Sequence, residues 1–224
     1  MHAALGDART VLNVGAGAGS YEPLDREVTA VEPSEAMRAQ RPAHLAVAID
    51  AVAEHLPFPD DSFDAAMAMV TVHQWRDADA GLRELRRVSR GPVVVLTFDG
   101  SVLPEFWFNE YGPEVLAADS VRYPAPEHIA AVLGGTAEIS VVPIPADCTD
   151  GWVETYWARP ERLLDPAVRR SQSAWGFVDE VTAERSVQRL RNALESGEWD
   201  RRFGHLRTET EYLGSLRLIV ARPA

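Results

Sequence analysis

The sequence predicts an α/β protein built around a mostly parallel sheet, and three observations support this prediction. Short runs rich in β-branched and apolar residues alternate with helix-like stretches through the first hundred residues, which is the pattern of successive βα units. Several runs are apolar almost throughout, as expected for strands covered on both faces. Directly after the first run, glycine occupies every second position, at Gly15, Gly17 and Gly19, so the chain there is nearly bare main chain.

The strands and helices can be placed in chain order. The predicted strands are residues 10–14, 27–32, 45–49, 63–70, 92–98, 137–143 and 214–221. Asp77 can cap a helix that lies before the fifth strand, and three apolar residues of that helix share one face: Leu82, Leu85 and Val88. Further helices are predicted at residues 127–133 and 183–195. The predicted sheet therefore has seven strands, and we expect the last of them to run antiparallel.

Composition and charge exclude several classes of protein. A net charge of −12 would repel a phosphate backbone, so nucleic acid is not an expected partner. The longest apolar runs are far shorter than the roughly 20 residues that span a bilayer, so no membrane partner is expected. The single cysteine, Cys148, has no partner for an internal disulfide, and the first residues do not resemble a signal peptide. We therefore expect a soluble, cytoplasmic protein.

The strongest functional signal lies at the ends of the first two predicted strands. The glycines at residues 15–19 allow the main chain to approach a ligand closely and to adopt positive φ angles. The second predicted strand ends in Glu32, whose carboxylate can accept hydrogen bonds from both hydroxyls of a ribose. If these strand ends lie side by side, they form a crevice that binds a nucleoside.

Glycine spacing separates two kinds of nucleotide ligand. Dinucleotide sites use the pattern GxGxxG, with the pyrophosphate at the N-terminus of the following helix. This chain reads GxGxG and has Ser20 at the next position. The spacing therefore favours a ligand without a pyrophosphate, and a nicotinamide-dependent oxidoreductase is the less favoured enzyme. A glycine turn without any ligand is the structural alternative, although the strand before it and the acid after it favour a binding loop.

Three ordered motifs resemble the class I S-adenosylmethionine-dependent methyltransferases, in the branch that often acts on small molecules. Residues 14–19 match the first motif of that family, and residues 31–34 with Met37 match its second-strand motif. Residues 53–64, which read AEHLPFPDDSFD, follow the family stretch AExLPFxDxSFD almost residue for residue. Residues 84–92 resemble the helix and turn before the fifth strand. The resemblance covers residues 9–99 well and the C-terminal strands loosely.

The resemblance implies a Rossmann-like fold, with helices on both faces of the sheet and helical insertions after the fifth strand, and S-adenosylmethionine as the cofactor. Residues 15–17 would pack against the methionine part, Glu32 would hold the ribose diol, and Val70 would lie under the sulfonium. Pro33 and Met37 of the second motif would flank the adenine or sugar, and Ala53 and Glu54 of the third would face the adenine edge. The implied cofactor-binding residues also include Asn13, Gly19 and the loop residue Ala16.

Two positions depart from the usual family pattern. Asn13 stands on the first strand where relatives commonly carry Asp, and Val52 replaces an Asp that often precedes the third motif. In addition, only nine residues precede the first strand, whereas many relatives place N-terminal helices over the cofactor. These departures keep a second hypothesis open, in which the chain is a non-catalytic binding module with a methyltransferase-like fold.

His73 is the candidate catalytic base. It follows the fourth predicted strand, at the carboxyl end where ligands bind in open α/β sheets, and imidazole titrates in the range that suits proton transfer. The alternative is that His73 ties down its loop through hydrogen bonds to the backbone. A base is needed only if the acceptor must lose a proton.

Four aromatic residues are candidates for the acceptor site. Trp107, Tyr111, Tyr156 and Trp157 lie in irregular, proline-containing segments, where they would line a pocket or stabilise a cation. The alternative is that they form the small core of those segments. No metal site is expected, because a capped turn explains the acidic cluster at residues 60–64 without an ion.

These inferences combine into one prediction of organisation and function. Residues 1–100 are expected to form the cofactor-binding half of a single domain, and residues 101–224 the acceptor-side half with aromatic-rich insertions and closing strands. The predicted function is S-adenosylmethionine-dependent methylation of a small molecule. The sequence leaves open the acceptor, the attacked atom and the oligomeric state, with a homodimer among the allowed states.

Overall fold

The apolar runs of the sequence form a mixed, mostly parallel sheet. In the computed structural model, which describes residues 1–223, the strands are β1 (Thr10–Val14), β2 (Glu27–Val31), β3 (Ala65–Met69), β4 (Val93–Phe98), β5 (Thr136–Val141), β6 (Ile144–Pro145), β7 (Glu211–Tyr212) and β8 (Leu216–Arg222). Six of them form one sheet in the order β2-β1-β3-β4-β8-β5, and β6 pairs with β7 separately. β1 is parallel to β2 and β3, and β3 is parallel to β4. The predicted fold class is confirmed.

α-Helices occupy four of the connections between the strands. They are α1 (Glu35–Arg38), α2 (Ala78–Val88), α3 (Pro113–Ser120), α4 (Pro126–Leu133), α5 (Pro166–Arg170), α6 (Glu180–Glu195) and α7 (Glu198–Phe203). α2 begins as predicted, because the side chain of Asp77 accepts a hydrogen bond from the N–H of Ala80. Its apolar face is buried: Leu82, Leu85 and Val88 lie in the core of the sheet. Within residues 1–223, no helix has the length and apolar character needed to cross a membrane.

The predicted strand at residues 45–49 does not form, so the sheet has six strands rather than seven among the described residues. Ile49 makes a single parallel bridge to Val31, in which its N–H donates to the carbonyl of Ala30 at 2.8 Å. Val47 is 90% exposed and Ile49 is 39% exposed. A strand gains its stability from side chains packed on its faces, and this segment packs too few of them to extend beyond one bridge.

The connection between β1 and β2 contains no helix. Parallel neighbours need a crossover of about a dozen residues or more, which is usually an α-helix. Here residues 15–26 cross between the strands through turns alone. Gly15 and Gly17 make the first of these turns with φ angles of 68° and 52°. The glycine loop is therefore supported by something other than a following helix.

The chain folds into two compact units. The first contains residues 1–98, 124–140 and the described residues from 217 onward, and the second contains Asp99–Tyr123 and Val141–Leu216. These boundaries lie at different places from the predicted halves, 1–100 and 101–224. The reason is that α4, β5 and β8 return to the sheet of the first unit after the chain has left it. The two aromatic-rich stretches belong to the second unit.

Substitution of Gly91 tests how tightly the turn into β4 packs against the start of β3. A Cβ atom on this residue would lie within 3.0 Å of the carbonyl oxygen of Asp64, a backbone atom that moves only if the strand moves. We expect Gly91→Ala to lower the free energy of unfolding by about 1–3 kcal/mol, measured by urea denaturation. The control is Gly176→Ala, because no described atom lies within 4 Å of an added Cβ there. Equal effects of the two substitutions would contradict this packing.

Candidate functional site

The glycine loop and Glu32 lie side by side at the carboxyl ends of two neighbouring strands. β1 pairs with β2 in parallel, with Val14 opposite Val31, so both strands end at the same edge of the sheet. The N–H groups of Gly15 and Ala16 donate to the carbonyl of Val31 at 2.9 and 3.0 Å. The two strand ends that the sequence assigned to one crevice are therefore in direct contact.

Glu32 joins the glycine loop to the start of α1. Its Oε2 accepts a hydrogen bond from the N–H of Gly17 at 2.8 Å, and its Oε1 accepts one from the N–H of Ser34 at 2.8 Å. Pro33, which lies between Glu32 and Ser34 in the chain, is exposed. Glu32 itself is buried, with 7% of its surface exposed. A carboxylate has about four acceptor positions, so two remain available. The two vicinal hydroxyls of a ribose match that remaining capacity.

The glycine loop adopts a conformation that side chains would block. At Gly15, where φ is 68°, an added Cβ would lie within 3.0 Å of Thr71, the buried residue that follows β3 by two positions. At Gly17, where φ is 52°, it would lie 3.3 Å from Cε of Met37. Met37 is 37% exposed, so its thioether covers the loop while remaining open to solvent. The loop thus presents main chain between Thr71 and Met37.

Val70 follows β3 in a backbone conformation that β-branched residues rarely adopt. Its φ angle is 55°, and its N–H is held by the carbonyl of Leu96 on β4 at 2.8 Å. Such strain costs roughly 1–3 kcal/mol and is concentrated at functional sites. β3 neighbours β1 on the side away from β2. Glu32, the glycine loop and Val70 therefore stand at the ends of three adjacent strands.

His73 lies just beyond Val70, in a single 3₁₀ turn formed by Val72–Gln74. The imidazole is half-buried, and its ring meets that of Phe98 edge to face, with the ring centroids 6.5 Å apart. Phe98 is the last residue of β4. The structure therefore places the candidate base at the carboxyl ends of β3 and β4, at the same edge of the sheet as the glycine loop.

The third motif is anchored to the start of α2. Ala53 is buried, and its methyl group packs so closely on Gly81 that an added Cβ there would lie 3.0 Å away. Trp75 packs against the same glycine. Glu54 is half-buried, and its Oε1 accepts a hydrogen bond from the N–H of Asp77 at 3.0 Å. These contacts fix the position of the motif; contact with adenine stays a prediction.

Asn13 belongs to a buried polar network beneath the loop. Its Nδ2 donates to Oε1 of Glu22 at 3.2 Å, and Nη2 of Arg41 donates to both carboxylate oxygens of Glu22 at 2.8 and 2.9 Å. Gly19 is buried beside Arg41. The sequence does not single out Glu22 or Arg41 as site residues. Both stand in irregular segments, and no local pattern in the sequence shows that they pair.

The four aromatic residues predicted for the acceptor site are buried in the second unit. The indole N–H of Trp107 donates to the carbonyl of Trp157 at 2.9 Å, and its ring meets that of Trp199 edge to face, with centroids 5.4 Å apart. Trp157 donates to the carbonyl of Ile144 at 3.1 Å and stacks on Tyr212. The exposed fractions of Trp107, Tyr111, Tyr156 and Trp157 are 4%, 5%, 9% and 0%. These contacts support the alternative in which the aromatic residues form a core; acceptor contact stays a prediction.

The acidic cluster at residues 60–64 is explained by hydrogen bonds within the fold. The N–H groups of Thr10 and Arg9 donate to Oδ2 of Asp64, each at 2.9 Å, and Arg90 donates to Oδ1. The Thr10 amide, followed by the Arg90 side chain, holds the pKa of Asp64 well below its usual value. Among residues 1–223, no three His, Cys, Asp or Glu side chains are arranged to hold a metal ion.

Comparisons with known proteins agree with this geometry. A family profile described as a methyltransferase domain matches residues 12–95, which run from β1 to β4. The structure is similar to that of a protein from Anabaena variabilis ATCC 29413 named as a methyltransferase from an antibiotic biosynthesis pathway. The TM-score is 0.87 at 28% identity, and the alignment covers 95% of this chain and 90% of that one. An S-adenosylmethionine-dependent methyltransferase from Thermotoga maritima shares the fold, with a TM-score of 0.56 at 17% identity over 97% and 83% of the two chains.

A curated relative matches a shorter segment. It is 2-methyl-6-phytyl-1,4-hydroquinone methyltransferase 1 of Oryza sativa subsp. japonica, 38% identical over 64 residues. The match covers 28% of this chain and spans only 19% of the length of that relative. Together, the fold, the profile match over residues 12–95 and the structural similarity support a class I S-adenosylmethionine-dependent methyltransferase, whose cofactor is S-adenosylmethionine.

Proposed function

We propose that this chain binds S-adenosylmethionine with the adenosyl group between the glycine loop and Glu32, and transfers the methyl group to a small-molecule acceptor. The observation that carries the proposal is the geometry of Glu32. Its carboxylate stands at the end of β2, bonded to Gly17 of the neighbouring loop, with acceptor capacity remaining for two hydroxyls. A buried carboxylate that already fixes the loop is well placed to orient a ribose against it.

The cofactor supplies a methyl carbon that its sulfonium activates for in-line displacement. The chain therefore needs to position the acceptor and exclude water rather than to form a covalent intermediate. Val70, held in its strained conformation after β3, would support the sulfonium. His73, at the same edge of the sheet, would accept the proton at an imidazole nitrogen if the acceptor atom carries one.

The acceptor class follows from charge and from the named relatives. A net charge of −12 disfavours nucleic acid. The relatives are named for a hydroquinone and for an antibiotic pathway, both of which concern small molecules. We infer a small organic acceptor, and with a single cysteine in the chain we infer a cytoplasmic location.

A non-catalytic binding module is the second candidate function. The burial of the four aromatic residues in a core of their own favours it, because side chains that pack on one another are less available to line an acceptor pocket. The two functions differ in a simple measurement. If S-adenosylhomocysteine raises the melting temperature but no compound in a broad library of phenols, amines and thiols is methylated, the chain is a binding module.

Removing the Glu32 carboxylate tests the cofactor site. We expect Glu32→Ala to weaken S-adenosylhomocysteine binding at least about tenfold, because charge-assisted hydrogen bonds contribute about 1.5–3 kcal/mol each. Isothermal titration calorimetry measures the affinity. Glu35→Ala is the matched control, since Glu35 is an exposed acid three residues away on α1. Unchanged affinity in Glu32→Ala would contradict the proposed placement of the ribose.

Removing the His73 imidazole separates base catalysis from positioning. For an acceptor that must lose a proton, we expect His73→Ala to lower turnover by about 10²–10⁴-fold while S-adenosylhomocysteine affinity stays constant. Production of S-adenosylhomocysteine from S-adenosylmethionine reports turnover. Gln74→Ala, an exposed neighbour in the same turn, serves as the control. Full turnover in His73→Ala would assign His73 to the structural alternative and leave the cofactor site in place.

A further inference from the structure

The glycine loop is held by side chains from elsewhere in the first unit. Residues 15–26 form only turns, so no following helix fixes the main chain of the loop. Two charged residues bind the peptide groups of Gly17 instead. Its N–H donates to Oε2 of Glu32 at 2.8 Å, and its carbonyl accepts a hydrogen bond from Nη1 of Arg41 at 3.2 Å. The centre of the loop is thus fixed from both sides.

Arg41 is itself fixed by a buried ion pair. Its Nη2 contacts both carboxylate oxygens of Glu22, and its Nε and Nη2 donate to the carbonyl of Ala46 at 3.1 and 2.9 Å. The exposed fractions of the side chains are 4% for Arg41 and 1% for Glu22. In so dry a site, loss of either partner leaves an uncompensated charge, so the pair holds one geometry. The guanidinium therefore has little freedom to release the carbonyl of Gly17.

Asn13 completes the network as its neutral member. Its Nδ2 donates to Oε1 of Glu22, and Asn13 is 2% exposed. An Asp at this position would place a second carboxylate against Glu22, and Arg41 is the one cation that the described part of the chain places on Glu22. Two buried carboxylates in contact repel each other, so with an acid at position 22 a neutral amide at position 13 is favoured over a second acid.

We propose that Arg41, Glu22 and Asn13 are positioning residues that set the Gly17 peptide, and through it the Glu32 carboxylate, for cofactor binding. This inference rests on the proposed function, since it concerns the same site. Arg41 acts through Gly17, Glu22 fixes Arg41, and Asn13 keeps the buried charge of the network balanced. The buried acid of this network is supplied from position 22.

The first experiment separates positioning from stability. We expect Arg41→Gln to weaken S-adenosylhomocysteine binding about tenfold or more in calorimetry, and Arg41→Lys, which keeps the charge but not the planar fork, to weaken it less. Arg90→Gln is the matched control. It breaks an ion pair with Asp64 at the start of β3, whereas the glycine loop lies at the carboxyl end of the strands. It should lower the melting temperature and leave the affinity unchanged. If Arg41→Gln binds as tightly as Arg90→Gln, the proposal is overturned.

The second experiment exchanges the charge between positions 13 and 22. Asn13→Asp should weaken binding about tenfold, because it adds a second carboxylate to the network. Adding Glu22→Gln exchanges donor and acceptor across the same hydrogen bond, and affinity should return to within about threefold of the wild type. A double variant that does not fold, or that binds no better than Asn13→Asp, overturns the proposal. If Arg41→Gln does not fold, the comparison of Asn13→Asp with the double variant tests the proposal without it. A wild-type chain that binds no S-adenosylhomocysteine would instead overturn the cofactor site.

Discussion

The hydrogen bond from the Gly17 amide to the Glu32 carboxylate is the constraint on which the site depends. It joins the ends of two parallel strands, with the N–H of Gly17 2.8 Å from the carboxylate oxygen that accepts from it. A carboxylate that is 7% exposed must recover its lost hydration from donors, and the amides of Gly17 and Ser34 supply them. The position of the Glu32 carboxylate is thus fixed by backbone groups of the protein itself.

The order of the strands determines what else reaches this crevice. β1 lies between β2 and β3, so the residues that follow β3 stand on the other side of the glycine loop from Glu32. Thr71 packs so closely on Gly15 that only glycine fits, and the adjacent Val70 is held in a strained conformation. Both features follow from parallel strands that end together at a single edge, where open α/β sheets bind their ligands.

Local signals in the sequence were sufficient to predict the fold class and the adjacency of the glycine loop and Glu32. The loop glycines and Glu32 each stand at the end of an apolar run, so spacing along the chain predicts their neighbourhood in space. The pair of Glu22 and Arg41 joins two irregular segments, and burial of an arginine leaves no mark in the sequence. The segment at residues 45–49 has the composition of a strand but lacks packing, as the 90% exposure of Val47 shows. Composition also identified the two aromatic-rich segments, but it did not indicate that they are in contact through the hydrogen bond from the Trp107 indole to the carbonyl of Trp157.

The charges around Glu32 explain why its carboxylate remains available to a ligand. Two arginines lie close by, and each is neutralised by another acid: Arg38 pairs with Asp50 at 3.0 Å, and Arg41 pairs with Glu22. Both donate to backbone carbonyls near the loop, Arg38 to that of Glu32 itself and Arg41 to that of Gly17. Within residues 1–223, neither arginine forms an ion pair with the Glu32 carboxylate, which receives only neutral amide donors from the loop and α1. The Glu32 carboxylate is therefore bound by uncharged amides, while the nearby arginines hold main-chain carbonyls.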